Sequence, residues 1–255
     1  MPSVVLYTFA TSPYGLKVQA YLAYKRIPYE TVYADPFRLR ELLPVGHTVP
    51  VLSIDGESRS DSQAIAQWLD ERFPERPLLP PDAEPCVAEF DDWVQHCMIP
   101  ANFKFGRPGL SPALPVQLAN AWRLGSVMNR TIPAIGWRRF AWPLILRLTP
   151  FVRREAERAP GASIQDTARI IGSRLKQELA NGPFMCGRSS PSLADLSAYG
   201  PITIGYELGL MGAGRLLQRP YMRDWALRVH AQLDPALPLV PDAIRVRSIG
   251  ALAQA

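Results

Sequence analysis

The stretch His47-Thr48-Val49-Pro50-Val51-Leu52-Ser53-Ile54-Asp55-Gly56, followed by Ser60-Asp61-Ser62, constrains this chain more than any other. A proline cannot donate to a sheet ladder, so Pro50 ahead of an apolar run marks the start of a strand. Asp55-Gly56 has the composition of a two-residue hairpin turn and returns the chain as a second strand over 57–59. In so tight a turn a proline can be cis. A cis Val49-Pro50 bond would leave the Val49 N–H and C=O unpaired and facing outward, where an extended peptide could pair with them as an added strand. Ser62 is then placed to cap a helix, and helix N-termini attract anions. A peptide-like ligand ending in a carboxylate suits both features.

The residues on either side extend this pattern. Residues 4–9 are β-rich and short, as in a buried strand. Ser12 before Pro13 is an N-cap followed by proline at the first helical position. Val18, Tyr21, Leu22 and Lys25 continue at helical spacing to Arg26. Residues 29–33 make a second strand, giving a right-handed parallel βαβ unit. Pro36 opens a short helix to residue 42, and the helix from 62 turns Ile65, Leu69 and Phe73 inward. The order β-α-β-α-β-β-α predicts an α/β thioredoxin-like domain over 1–78. The proline-rich run 74–85 forms a stiff connection, with the linker proper at 79–85. Beyond it, 86–255 reads as an all-α domain. Val87, Phe90, Val94 and Cys97 or Met98 share one helix face, and Ile164, Ala168, Ile171 and Leu175 share another. Ser192 with Asp195 forms a capping box, and 221–233 a further helix.

The Val-Pro-apolar-apolar turn, the Asp-Gly hairpin, the Asp61-Ser62 pair and the Ser-Pro-aromatic run at 12–14 together resemble the glutathione-binding half of the cytosolic glutathione transferases. Ser-Pro-Tyr is similar to the Ser-Pro-Phe of the serine-type tau class, and omega-class members carry Cys-Pro-Phe there. The resemblance covers 4–78 well and about 160–235 loosely. It implies the two-domain transferase fold, glutathione as cosubstrate, and attack of its thiolate on a hydrophobic electrophile, the detoxification chemistry of the family. Ser12 would be the catalytic hydroxyl that donates to the sulfur, since only the thiolate is a good nucleophile. Tyr7, at the end of the first strand, is the rival donor, with Thr11 and Tyr14 behind it. A serine at position 12 argues against thiol–disulfide exchange, which needs a protein thiol. The resemblance implies that Val49, presented by Pro50, pairs with the cysteinyl backbone. Asp61 and Ser62 would hold the γ-glutamyl ammonium and carboxylate. Relatives often place a lysine just before the Val-Pro turn; here Gly46, His47 and Thr48 stand instead, leaving His47 for the glycyl carboxylate. A homodimer is also implied. Alternatives within the same fold are glutathione-dependent bond cleavage of β-etherase type, or a non-catalytic binding module.

Composition narrows the setting. The net charge is +5, yet 1–80 hold eight Lys/Arg against nine Asp/Glu, while 101–160 hold ten against two. No nucleic-acid motif accompanies this charge, so no nucleic-acid partner is expected. Three cysteines, Cys86, Cys97 and Cys186, without a Cys-x-x-Cys suggest free thiols and a cytoplasmic location. The three histidines are scattered, so no metal site is expected. No apolar run is long enough to span a bilayer. Within 100–158, tryptophans and arginines stand among many prolines. An interfacial amphipathic segment would use such residues, but prolines break the moment a surface helix needs. A pair of long helices is expected instead, with the tryptophans lining a second-substrate pocket or packing as core, and membrane association is not expected.

Overall fold

A computed structural model describes residues 2–82, 84–109 and 113–254. Ala83 of the linker and Pro112 of the proline-rich segment lie outside the described residues. Four strands, β1 (Val4–Thr8), β2 (Glu30–Tyr33), β3 (Val51–Ile54) and β4 (Glu57–Ser60), form one sheet in the order β2-β1-β3-β4. β1 and β2 run parallel, joined by helix α1 (Pro13–Lys25), and the other pairs are antiparallel. The sequence order of elements is therefore the observed one.

Alternation along β1 assigns the two faces of the sheet. Val4 and Leu6 join Leu52 and Ile54 in the main core with α1 and helix α3 (Ser62–Arg72). Tyr7 and Phe9 face the other way, onto Ala34, Leu43 and Val51. Beneath that face the short helix α2 spans Leu39–Leu42 rather than starting at Pro36. Asp35 causes the delay: its Oδ1 accepts the Phe37 N–H at 2.9 Å and holds 36–38 in a turn.

The helical half comprises α4 (Glu84–Trp93), a π-helical turn (Val94–Met98), α5 (Ile99–Gly106), α6 (Leu114–Thr131), a 3-10 turn (Pro133–Arg139), α7 (Trp142–Leu148), α8 (Pro150–Arg158), α9 (Ile164–Glu178), α10 (Leu193–Glu207) and α11 (Pro220–His230). Val87, Phe90, Val94 and Met98 are all buried, as their spacing predicted. On α9, Ile171 and Leu175 are buried, but Ala168 is exposed and Thr167 takes the inward position. The Ser192–Asp195 capping box forms at the start of α10. Buried Asp195 also accepts from the Met185 N–H and the Trp225 indole, tying α10 to α11. α1 lies directly on α10, where Leu16 packs so close to Gly200 that a Cβ there would meet it at 2.7 Å. One core cluster consequently runs through both halves of the chain.

Two expectations are corrected here. Cys86 and Cys186 are not free thiols but a disulfide, and only Cys97 is free. The partners stand 100 residues apart, so nothing in their spacing announced the pairing. The 100–158 segment contains one long helix, α6, followed by short ones, since Pro133, Pro143 and Pro150 each open a new helix. Trp142 is buried, whereas Trp122 and Trp137 are exposed and stand outside the core.

Candidate glutathione site

The sheet brings the candidate residues to one edge. Tyr7 pairs with Val51, and Val51 with Ser60. Three adjacent positions on strands ~4.8 Å apart span roughly 10 Å. The loop carrying Ser12, the Val49-Pro50 turn and Asp61-Ser62 all leave the sheet from that row.

Ser12 caps α1. Its Oγ accepts the Gly15 N–H at 3.1 Å, and it is buried. Gly15 lets the start of α1 pack against the end of β1, because a Cβ there would fall 1.8 Å from Thr8 Oγ1. A hydroxyl has two lone pairs and one proton. Capping uses a lone pair, so the Ser12 proton remains free, with no acceptor among the described residues. Capping and donation to a sulfur do not compete. Tyr7 points its ring onto the α2 face of the sheet. Thr11 and Tyr14 are engaged by the helical half, Thr11 Oγ1 with Met128 Sδ at 3.3 Å and Tyr14 OH with Glu155 Oε2 at 2.9 Å. Burial and then the Glu155 carboxylate push the Tyr14 phenol well above its ordinary pKa, so it stays protonated and bonded.

Val49-Pro50 is a cis bond. No hydrogen bond engages the Val49 backbone among the described residues, leaving one N–H and one C=O for an added strand. Gly46, at φ +69, turns the chain ahead of it. His47 and Thr48 are exposed.

The cap of α3 is Asp61, not Ser62. Asp61 Oδ1 accepts the Gln63 and Ala64 N–H groups at 2.9 and 3.2 Å, which shifts Ser62 into the first helical position. Asp61 adopts φ 75, ψ 124, a region costly for an L-residue. Its Oδ2 has no partner among the described residues and is open to a cation. Ser62 N–H is one of the donors a helix start leaves unpaired. Its buried hydroxyl makes only a long bond of 3.4 Å to Gln95 Oε1.

Behind Ser62 lies a buried polar network that sequence patterns did not reveal. Lys17 Nζ pairs with Asp91 Oδ1 at 2.8 Å, both side chains almost wholly shielded. Lys17 also donates to Gln95 at 3.2 Å and Gln63 Nε2 to Asp91 at 3.0 Å. Ser197 donates to Asp91, and Tyr21 meets Ser197. The one hint was a lysine between Leu16 and Val18 on a helix whose face is otherwise inward. Tyr14, Phe103 and Phe151 form an aromatic wall beside the Ser12 loop, with ring centroids 6.4 and 5.6 Å apart.

A thioredoxin-like sheet whose Val-Pro turn and acid-serine helix start share one edge, backed by a helical half, defines the glutathione transferase fold. Residues 6–77 match the glutathione S-transferase N-terminal domain family. Glutathione S-transferase U2 of Arabidopsis thaliana is 34% identical over 107 residues, covering 40% of this chain and 48% of that protein. The chain thus spans about half the length of this curated relative. A glutathione S-transferase of Rhodospirillum rubrum superposes with a TM-score of 0.61 at 21% identity, covering 98% and 99% of the two chains. Rice GST1, solved in complex with glutathione, gives 0.59 at 19%, covering 95% and 92%. Residues 6–77 are thus similar to the glutathione S-transferase N-terminal domain, and the whole chain has the cytosolic glutathione transferase fold.

Proposed function

We propose that the protein is a glutathione transferase in which Ser12 donates to the glutathione sulfur and the thiolate attacks a hydrophobic electrophile. The observation that carries this reading is the free Ser12 proton, in a segment that leaves the sheet from the same row as the unpaired Val49 backbone. The cysteinyl part of glutathione pairs with Val49, presented by Pro50. The γ-glutamyl ammonium lies on Asp61 Oδ2, and its carboxylate on the Ser62 N–H and hydroxyl. His47, in the loop ahead of the Val49-Pro50 turn, is left for the glycyl carboxylate, and the aromatic wall offers the electrophile an apolar surface. The domain limits 1–78 and 86–255, the homodimer and the cytoplasmic location belong to the same reading. Sedimentation at micromolar concentration tests the dimer. A count of titratable thiols in protein trapped with a thiol-blocking reagent at lysis tests the location: one thiol, with the Cys86–Cys186 bridge formed, would speak against a reducing compartment.

Calorimetric titration with glutathione is the direct test. The expected affinity is micromolar to millimolar, about −4 to −8 kcal/mol. Absence of heat at millimolar glutathione would make the chain a binding module of another kind. Both reactions leave a glutathione thioether; β-etherase-type cleavage is identified by release, in equal amount, of the alcohol whose C–O bond breaks as the C–S bond forms.

A further inference from the structure

Trp137, Phe140, Leu144 and Leu148 are spaced three, four and four residues apart. Their hydrogen bonds carry the 3-10 turn into α7 without a break, Phe140 N–H to Trp137 C=O and Leu144 N–H to Ala141 C=O, each at 3.0 Å. The four side chains form one stripe. Trp122 joins it from α6, its indole N–H donating to Phe140 C=O at 3.1 Å. All five are between 51% and 74% exposed. The opposite side of the same segment is also apolar: Ile135 and Trp142 are buried against Met128 and Ile132. A helix apolar on both sides is normally enclosed, and here one side is open. An apolar patch of this kind marks an interaction surface.

The charge around the stripe selects its occupant. No Asp or Glu stands between Asp92 and Glu155, while one Lys and eight Arg do. The Arg139 guanidinium lies 4.7 Å from the Phe140 ring centre, and that of Arg138 4.8 Å from the exposed Phe37 ring. Arg147 stands between Leu144 and Leu148. Among the described residues none of these three arginines pairs with a carboxylate. A two-fold copy of this chain would set the positive field against itself. No described helix is long and apolar enough to cross a membrane. We propose that this face docks on a bilayer surface carrying anionic headgroups. The apolar stripe enters the headgroup–acyl boundary, and Arg138, Arg139 and Arg147 lay their stems along it while reaching phosphates.

Flotation with vesicles of phosphatidylcholine alone and with added phosphatidylglycerol tests this. Partition should be at least tenfold higher onto the anionic vesicles at low salt and fall severalfold in 0.5 M NaCl. The double variant Trp137→Ser/Leu148→Ser, altering two solvent-facing side chains, should lose at least tenfold while keeping the wild-type circular dichroism spectrum and glutathione heat. Arg138→Gln/Arg139→Gln should lose the preference for anionic vesicles. Equal partition onto both vesicle types, no partition, or an unchanged double variant overturns the proposal. So does a wild-type dimer that the double variant converts to a monomer without any vesicle binding, which would make the face a subunit interface.

Discussion

In the proposed reading Ser12 carries two tasks on one oxygen, and substitution separates them by magnitude. Ser12→Ala removes a helix cap, costing about 1 kcal/mol of stability. It also removes the donor to the bound thiol. A pKa near 8.5 leaves only a few per cent thiolate at pH 7, and a drop of about two units corresponds to roughly 2.7 kcal/mol. Turnover at neutral pH should fall about tenfold or more with little change in glutathione affinity. Ultraviolet thiolate absorbance of bound glutathione against pH is the check: an unshifted curve in the folded variant would transfer the role to Tyr7. Asp61 likewise caps with Oδ1 and, in the proposed reading, offers Oδ2 to the ammonium. Asp61→Asn keeps a capping oxygen but not the charge, so it should weaken glutathione by about 1.5–3 kcal/mol with the melting temperature nearly unchanged. Asp61→Ala should lose both affinity and stability. Equal affinity of Asp61→Asn and wild type would place the ammonium elsewhere.

At the scale of elements, α10 is the buried axis of the helical half and carries an acid where water is scarce. Burial is the main reason that Glu207 is raised from 4.5 to about 7, with Arg245 and Thr203 opposing it. The fold therefore favours the protonated form. Its stabilising contribution is fully present below about pH 4.5 and is lost as pH rises through about 7. Glu207→Gln keeps a neutral group throughout, so at pH 8 it should be more stable than wild type by up to about 3 kcal/mol. The difference should vanish near pH 4.5. Urea unfolding across this range measures it, and a difference constant with pH would mean that Glu207 is not the titrating group.

At the scale of the molecule, the two halves are joined by shared core and by the Lys17–Asp91 pair, which links α1 to α4 beside the glutathione edge. Lys17→Met would leave Asp91 buried with only Ser197 and Gln63 as donors. Breaking such a pair costs about 3–5 kcal/mol. Chemical unfolding should show that loss as one cooperative transition, because the halves share a core. Two separated transitions would show that they fold independently. The Cys86–Cys186 bridge ties the start of the helical half to the turn before α10. Its 100-residue separation corresponds to about 4.7 kcal/mol of unfolded-state constraint in the chain-entropy account.

Local chemistry determined much of this protein. Pro50 and Asp55-Gly56 announce a strand and its hairpin, Ser12-Pro13 a helix start, and Ser192 with Asp195 a capping box, because each depends on backbone preferences of neighbouring residues. Those signals placed the sheet and the row of strand ends from which the segments carrying Ser12, Val49, Asp61 and Ser62 leave. Even there, whether Asp61 or Ser62 caps α3 depended on a strained φ that composition does not reveal. Contacts between distant residues were left to the tertiary structure: the Cys86–Cys186 bridge, Lys17 against Asp91, and Tyr14 against Glu155. The tryptophans show the division most clearly. Prolines at 133, 143 and 150 interrupt the apolar pattern in the sequence, yet each opens a short helix. Only packing of α7 against α6 determines that Trp142 is buried while Trp137, Phe140, Leu144 and Leu148 face outward, since burial depends on what lies opposite a side chain rather than beside it in the chain.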